Sequence, residues 1–368
     1  MTALFLFGTL CHPPLLHAVL GDAAHVTTTS ATLPGYAVAM AKDGPFPTIA
    51  TAPDEHTPGV LVTGLTEADW AQLDYYEAAF DYRPRPVTLS EGQAALAYLP
   101  PPGRWTPAGA WSLAAWADHW GALSTFAAEE VMGYFGTRPE AEIAKMFPAI
   151  RARAASRLNA ADSQHGAGTL KGRIEVIDRT RPYSKFFALD DITLRHERFD
   201  GTMTGPLDRA VFVAVDAALV LPYDPIRDRV LLVEQMRMGP LARGDRHCWQ
   251  LEPIAGRIDG GESPEVAARR EAVEEAGLNL GRLHVVSQSY ASPGNSSEFC
   301  YSYVGIADLP GSVTGTGGLE AEHEDIRTHL MSFDALMSLC DTGQAANAPL
   351  VMMAYWLARH RARLRGSS

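Results

Sequence analysis

The chain holds 368 residues, 46% of them hydrophobic and 20% charged, with a mean hydropathy near zero, enough for two packed cores. Acidic residues outnumber basic ones 43 to 31, a formal net charge of −12. The dense basic run is Arg359, Arg361, Arg363 and Arg365, so the composition argues against a broad phosphate-binding surface and against a nucleic-acid partner.

The apolar stretch 1–10 carries no basic flank and meets Pro13 and Pro14, which fits neither a signal peptide nor a membrane span. Within it, residues 3–7 (ALFLF) predict a buried strand running into Gly8-Thr9-Leu10, and His12-Pro13-Pro14 opens a short helix that Gly21 closes. Strands are expected at 59–64 and 86–89, with a helix between them that starts on a capping-box-like Thr66 and Asp69. Residues 111–158 are alanine-rich with spaced aromatics and read as helices interrupted at 133–139, followed by a linker at 159–168. The second unit opens with strands at 171–178 and 191–199. Strands at 210–221 and 229–234 follow, bridged by the turn-rich 222–228. After the apolar Leu350 to Leu357, the arginines are placed to oppose a helix dipole and receive no functional role. Cys11, Cys248, Cys300 and Cys340 form no CxxC pair, which suits free thiols in a reducing compartment and predicts a cytoplasmic protein.

Residues 256–278 read GRIDGGESPEVAARREAVEEAGL. Ser263 is placed as an N-cap, Pro264 at the first helical position and Gly277 as the left-handed residue past the end, so one helix spans roughly 264–276. On it Glu271, Glu274 and Glu275 stand at i, i+3 and i+4, three like charges that repel unless a cation joins them. Mg²⁺, or Mn²⁺ in its place, suits such a face: a hard octahedral ion takes one or two carboxylates, keeps waters and completes its shell with substrate phosphates. Arg270 is placed to orient Glu262 through a bidentate pair. A solvated charged helix would carry similar residues, but here the fixed positions extend through loop, cap, helix and C-cap together.

This pattern matches the Nudix box, and from about residue 171 to 364 the chain resembles the ADP-ribose pyrophosphatase branch of the Nudix hydrolases. Tyr183-Ser-Lys-Phe-Phe, Val233-Glu-Gln-Met-Arg and Leu251-Glu-Pro-Ile-Ala-Gly carry the resemblance before the box. Ser292-Pro293-Gly294 and Gly318-Leu-Glu-Ala-Glu-His-Glu-Asp-Ile-Arg carry it after. The resemblance implies metals held by Glu271, Glu275, Glu324 and the backbone carbonyl of Ala255, with Glu322 as general base beside Glu274 and Arg270. It also implies Arg237 as a substrate contact that pairs with phosphate and stacks on adenine, and Pro293 as the residue that discriminates substrates. Metal-assisted attack of water on one phosphorus fits a two-metal scheme, cleaving ADP-ribose to AMP and ribose 5-phosphate. The glycines of Gly315-Thr-Gly-Gly make the acidic loop mobile, so that Glu322 closes over substrate. One departure is the strand Arg209-Ala-Val-Phe-Val-Ala-Val, where family members often carry further charges. Members of the branch resemble one another as intertwined homodimers, which implies a homodimer here.

Phe7-Gly8-Thr9-Leu10, Gly59-Val-Leu-Val-Thr-Gly, Leu73-Asp74-Tyr75-Tyr76-Glu77 and Tyr82-Arg83 resemble the γ-glutamylcyclotransferase-like fold over residues 3 to about 100. The resemblance implies that the backbone N–H groups of Gly8, Thr9 and Leu10 hold a carboxylate and that Glu77 shuttles a proton from the substrate amine. Phe7 stands where a tyrosine is usual, so a weak cyclotransferase or a ligand-binding module is expected. The chain as a whole is expected to be α/β (α+β). A γ-glutamylcyclotransferase-like mixed α/β barrel at 1–105 is followed by a helical connector at 106–158, a linker at 159–168, and a Nudix α/β/α sandwich with a mixed sheet at 169–368. This fusion resembles bacterial two-domain proteins named for tellurite resistance. Two other functions are weighed: a hydrolase of another nucleotide sugar, which Pro293 opposes, and a non-catalytic nucleotide-sugar sensor. Intact Glu271, Glu274, Glu275 and Glu322 oppose the sensor, since a pure binder needs no water-activating carboxylates. A small nucleotide sugar is the expected partner, with no nucleic acid and no membrane.

Overall fold

The computed structural model describes residues 2–161, 166–319 and 324–366, which fall into two units, Met1–Gly166 and Ala167–Ser368. In the first, β1 (Leu4–Leu6) is apolar and buried throughout, as a central strand covered on both faces must be. A 3₁₀ turn (Thr9–Cys11) leads into α1 (Pro13–Leu20), which opens on its proline pair and ends at Gly21 with φ 67°. β2 (Thr27–Ala41) and β3 (Pro47–Thr63) form one long antiparallel hairpin. Gly59 lies where β3 crosses β1, and a Cβ there would stand 2.2 Å from the Leu6 carbonyl oxygen. α2 (Glu67–Ala78) starts on the expected Thr66/Asp69 capping box, and Asp69 also binds the His25 imidazole at 2.8 Å. β4 (Arg83–Thr88), β5 (Ala94–Leu99) and β6 (Pro107–Ala110) complete a mixed sheet of order β4-β5-β1-β3-β2-β6.

α3 (Leu113–Trp116), a π-helical turn (Ala117–Gly121), α4 (Ala122–Met132) and α5 (Glu140–Ala161) follow. Read from sequence as a connector, these helices bury Trp116, Leu123, Val131, Ile143 and Ile150 in the same cluster as Leu4, Phe5 and Leu73. Their apolar stripes need a partner, and the sheet of this unit supplies it. Arg153 is buried against α4 and is neutralised by Glu130 at 2.5 Å.

In the second unit, β7 (Ile174–Ser184), β8 (Ala188–His196) and β9 (Leu207–Val213) form an antiparallel sheet. The buried carboxylate of Asp190 is gripped by Arg179 and Arg181, while Ile174, Val176 and Ile177 point outward, each more than half exposed. β10 (Ala217–Asp224) begins a different sheet. The single strand expected at 210–221 is therefore two strands. Between them, Ala214 N–H bonds the Ser297 hydroxyl at 3.0 Å and the Asp216 carbonyl accepts from Ile258 at 3.0 Å, which takes these residues out of either ladder.

β11 (Arg229–Met236), α6 (Met238–Arg243), β12 (Trp249–Glu252), β13 (Ile254–Arg257), α7 (Pro264–Ala276), β14 (Leu283–Tyr290) and β15 (Phe299–Ile306) come next. They are followed by β16 (Thr316–Gly317), β17 (Ile326–Ser332), α8 (Phe333–Asp341) and α9 (Ala348–Gly366). The strand order is β14-β15-β10-β11-β17-β16, with β12 on β11 and β13 on β10. Alternation along β10 and β11 builds two cores. Ala218, Val220, Leu231 and Val233 face α7, whereas Leu219, Leu221, Val230 and Leu232 face α8 and α9. The result is an α/β/α layering. The turn between β10 and β11 is shorter than the sequence suggests, because β10 runs through Pro222 to Asp224. At its end Asp228, with φ 56°, accepts from the Tyr223 hydroxyl at 2.8 Å and from Arg361 and Arg365 of α9. Two of the C-terminal arginines thus have a specific partner, beyond any effect on the helix dipole.

Candidate active site

The carboxylate face of α7 is set by local chemistry. The Ser263 hydroxyl accepts from Val266 N–H, Pro264 begins the helix, and Gly277, at φ 62°, returns its N–H to the carbonyls of Ala272 and Val273. Arg270 ties the loop to the helix. It makes a bidentate pair with Glu262 at 3.0 and 2.9 Å, reaches Glu271 at 2.6 Å and Glu274 at 3.0 Å, and donates to the Arg257 carbonyl at 3.0 Å.

Behind that pair the helix lies against β13. Glu271 and Glu275 are buried, and a Cβ on Gly256 would fall 1.8 Å from the Glu271 Oε1, so only glycine leaves room for the carboxylate. The Ala255 N–H bonds Glu275, yet the other oxygen of Glu275, Oε2, is buried with no hydrogen-bond partner among the described residues. Burial raises Glu275 to about 9, and the neighbouring Glu271 and Glu324 carboxylates push in the same direction. Glu271 rises to about 7, again mainly through burial, with the Arg270 guanidinium opposing the shift. Such a pair is expensive as two bare anions.

Glu324 approaches from the segment before β17, and its Oε2 accepts from Leu319 N–H at 3.1 Å. Glu322 lies outside the described residues. Gly317 crosses the end of α7 so closely that a Cβ would stand 2.1 Å from the Glu275 carbonyl oxygen, and Gly318, at φ 97°, donates to the Glu274 carbonyl. Arg237 stands at the N-terminal end of α6 without a side-chain cap bond and pairs with Glu252 at 2.7 Å while remaining 41% exposed, and its charge is felt by Glu275. Pro293 sits in the exposed turn between β14 and β15. The ends of that turn are joined by Ala291 N–H to the Glu298 carbonyl at 3.1 Å, and its middle hangs on β9 through Phe212 N–H to the Asn295 carbonyl at 2.8 Å.

Two further carboxyls belong to this region. Glu252 and Glu298 are both raised by burial, with Arg237 opposing the shift in each. Glu252 lies inside the Leu251-Glu-Pro segment that carries the family resemblance, whereas Glu298 has no spacing signal of its own. Among the described residues no three carboxylate, imidazole or thiol groups already converge as a closed metal site. The unpartnered Glu275 oxygen, the Glu271 carboxylate cradled by Gly256 and the hard oxygen chemistry of the set nevertheless fit a divalent cation that completes its shell from substrate and water.

The first unit encloses a cavity of about 340 Å³, within the range of small-molecule sites. Phe7, Gly8, Thr9, Leu10 and Glu77 all line it, so the expected loop and glutamate do meet. Glu77 stands in the last turn of α2, and burial alone raises its carboxyl to about 8. Tyr82 and Trp116 brace the β2–β3 turn beside it, donating to the Pro47 carbonyl at 2.8 Å and to the Pro45 carbonyl at 2.7 Å.

A helix that gathers carboxylates around one arginine, on a mixed sheet covered on both faces, is the architecture of a phosphoanhydride hydrolase. Comparison with known proteins agrees. The NUDIX domain model matches residues 214–353, and a model described as gamma-glutamyl cyclotransferase, AIG2-like, matches residues 4–113. An ADP-ribose pyrophosphatase of Escherichia coli (strain K12) is 40% identical over 195 residues, 53% of this chain and 92% of that protein. An ADP-ribose pyrophosphatase of Haemophilus influenzae is 34% identical over 196 residues, 53% and 90% of the two chains. A GDP-mannose pyrophosphatase of Escherichia coli O1:K1 / APEC is 29% identical over 172 residues, 47% and 88%. The chain belongs to the Nudix family and is a Nudix hydrolase that carries an AIG2-like γ-glutamylcyclotransferase domain at its N-terminal side. No helix among its described residues is long and apolar enough to cross a membrane.

Proposed function

We propose that the second unit hydrolyses the pyrophosphate of ADP-ribose to AMP and ribose 5-phosphate with Mg²⁺. The observation that carries this reading is the buried Glu271–Glu275 pair on α7, one oxygen of which has no partner among the described residues. Glu271, Glu275, Glu324 and the Ala255 carbonyl would hold the metal, which when bound neutralises phosphate charge and activates water. Arg270 keeps Glu262 and Glu274 in register. Arg237, anchored by Glu252 and still partly exposed, offers its guanidinium to a phosphate or a base. Glu322 is the proposed general base, and Pro293 the residue that shapes the sugar side. The names of the relatives support ADP-ribose over GDP-mannose, since the identity is higher to the former. The test is a panel of nucleoside diphosphate derivatives assayed with Mg²⁺ for released phosphomonoester. ADP-ribose is expected to give the highest kcat/KM; preference for GDP-mannose changes the substrate, and saturable binding of ADP-ribose without turnover makes the unit a sensor.

The same reading includes a homodimer and a cytoplasmic setting. The outward Ile174, Val176 and Ile177 of β7 and, at the turn end of the β7–β8 hairpin, the Phe186, Phe187 and Phe212 cluster supply exposed apolar surface of the kind that interfaces bury. Sedimentation should show a dimer that Val176→Asp weakens. The four cysteines are free, as a reducing compartment keeps them. For the first unit, the cavity with Glu77 beside the Gly8-Thr9-Leu10 loop supports a γ-glutamyl-binding module or slow cyclotransferase. Release of 5-oxoproline that Glu77→Gln abolishes would establish the catalytic form.

A further inference from the structure

Beside the polar Asp43, Ser124, Arg104 and Arg151, two further kinds of lining meet in the first unit's cavity. One is Glu77 with the Gly8-Thr9-Leu10 loop. The other is aromatic: Phe46 packs edge-on against Trp105 at 4.9 Å, and Phe80 stands between Tyr76 at 5.5 Å and Phe147 at 4.6 Å. The first pair is fixed before any ligand arrives. Phe46 lies between the two carbonyls that Trp116 and Tyr82 anchor. The Arg104 guanidinium stacks on Trp105 at 3.8 Å, and Asp81 holds Arg104 at 2.6 Å. Rings locked in this way lose little entropy on binding. A polar leaving group set against these rings would lose its hydration, whereas a flat apolar group buries its surface favourably.

On the reading that this unit takes γ-glutamyl compounds, we propose that its ligand is the γ-glutamyl amide of an aromatic amine. The ring packs on the aromatic lining that Phe46, Trp105, Phe80 and Phe147 present. In turnover, the α-amine nitrogen of the ligand bonds its own γ-carbonyl carbon as the γ C–N bond breaks. The proton lost from that amine passes by way of the Glu77 carboxylate to the departing nitrogen. The products are 5-oxoproline and the free aromatic amine, and neither water nor an oxidant is consumed.

Calorimetric titration of the full chain with γ-glutamyltyramine, γ-glutamylglycine and free tyramine tests this. γ-Glutamyltyramine is expected to bind at least tenfold more tightly than γ-glutamylglycine, and the ratio should fall towards one in Trp105→Leu and in Phe46→Ala, two variants on separate segments. Equal affinity for the two amides overturns the aromatic assignment and leaves the γ-glutamyl reading standing. Free tyramine binding as tightly as its amide overturns the γ-glutamyl reading, and silence from all three overturns both. A ratio unchanged in both variants overturns the placement of the ring.

Discussion

Glu275 is a carboxyl group that folding removes from water and leaves half-satisfied, so its protonation is a statement about stability. Its folded pKa, about 9, lies above the ordinary 4.5. The folded state therefore binds the proton more tightly, and the contribution to stability is full below pH 4.5 and lost as pH rises through about 9. The metal-free protein should show a thermal midpoint that falls over this window, with a shallower fall in Glu275→Gln, a variant that should keep the fold and lose hydrolysis. Parallel midpoint curves for the two proteins would show that Glu275 is not the group titrating. The two glutamates of the acidic segment should separate in a Mg²⁺ titration of rate. Glu324→Gln should need more metal for half-maximal rate and recover some activity when metal is added. Glu322→Gln should lose about 10² to 10⁴ in kcat without rescue. Equal, rescuable losses in both would remove the division of labour. Glu77, raised to about 8, accepts a proton only when ionised, so any 5-oxoproline release should climb with pH through that value.

At the scale of elements, the site is a contact between one helix and one short strand. Gly256 on β13 exists to admit Glu271. Because the clash in Gly256→Ala falls on the end of a flexible side chain, the carboxylate should swing away at little cost to the thermal midpoint, while the half-saturating Mg²⁺ concentration rises several-fold. A loss of unfolding free energy as large as that of a core truncation, about 2–5 kcal/mol, would mean that the strand itself had moved. This helix was legible from sequence because cap, first turn, carboxylate spacing and C-cap all lie between Gly256 and Leu278, and each obeys a local rule. What the sequence hid depends on distant partners. The break at Ala214–Asp216 is enforced by Ser297 and Ile258. The Arg237–Glu252 pair joins neighbouring strands, and Glu298 gains its meaning only beside Arg237. The β2–β3 hairpin carries apolar and polar residues in no clean alternation, so over most of its length the sequence holds no strand signal. The helices of 106–158 showed their type but not that the first unit's core would claim them.

At the scale of the molecule, every residue proposed to handle the pyrophosphate belongs to the unit that begins at Ala167. A fragment of residues 167–368 should therefore hydrolyse ADP-ribose with a kcat/KM within a few-fold of the full chain. A folded but inert fragment would show that the first unit completes the site. The turn after β10 has a consequence of another kind. Helix ends ordinarily fray, and their amide protons exchange with solvent almost as freely as those of a peptide. Here Arg361 and Arg365 reach from the last turns of α9 to one aspartate, Asp228, and Arg361 also lies over the Phe333 ring at 4.1 Å. The amides near the end of α9 should thus take up deuterium at the slow pace of the sheet beneath them, and Asp228→Asn should release that stretch alone, while the amides of α7 keep their protection.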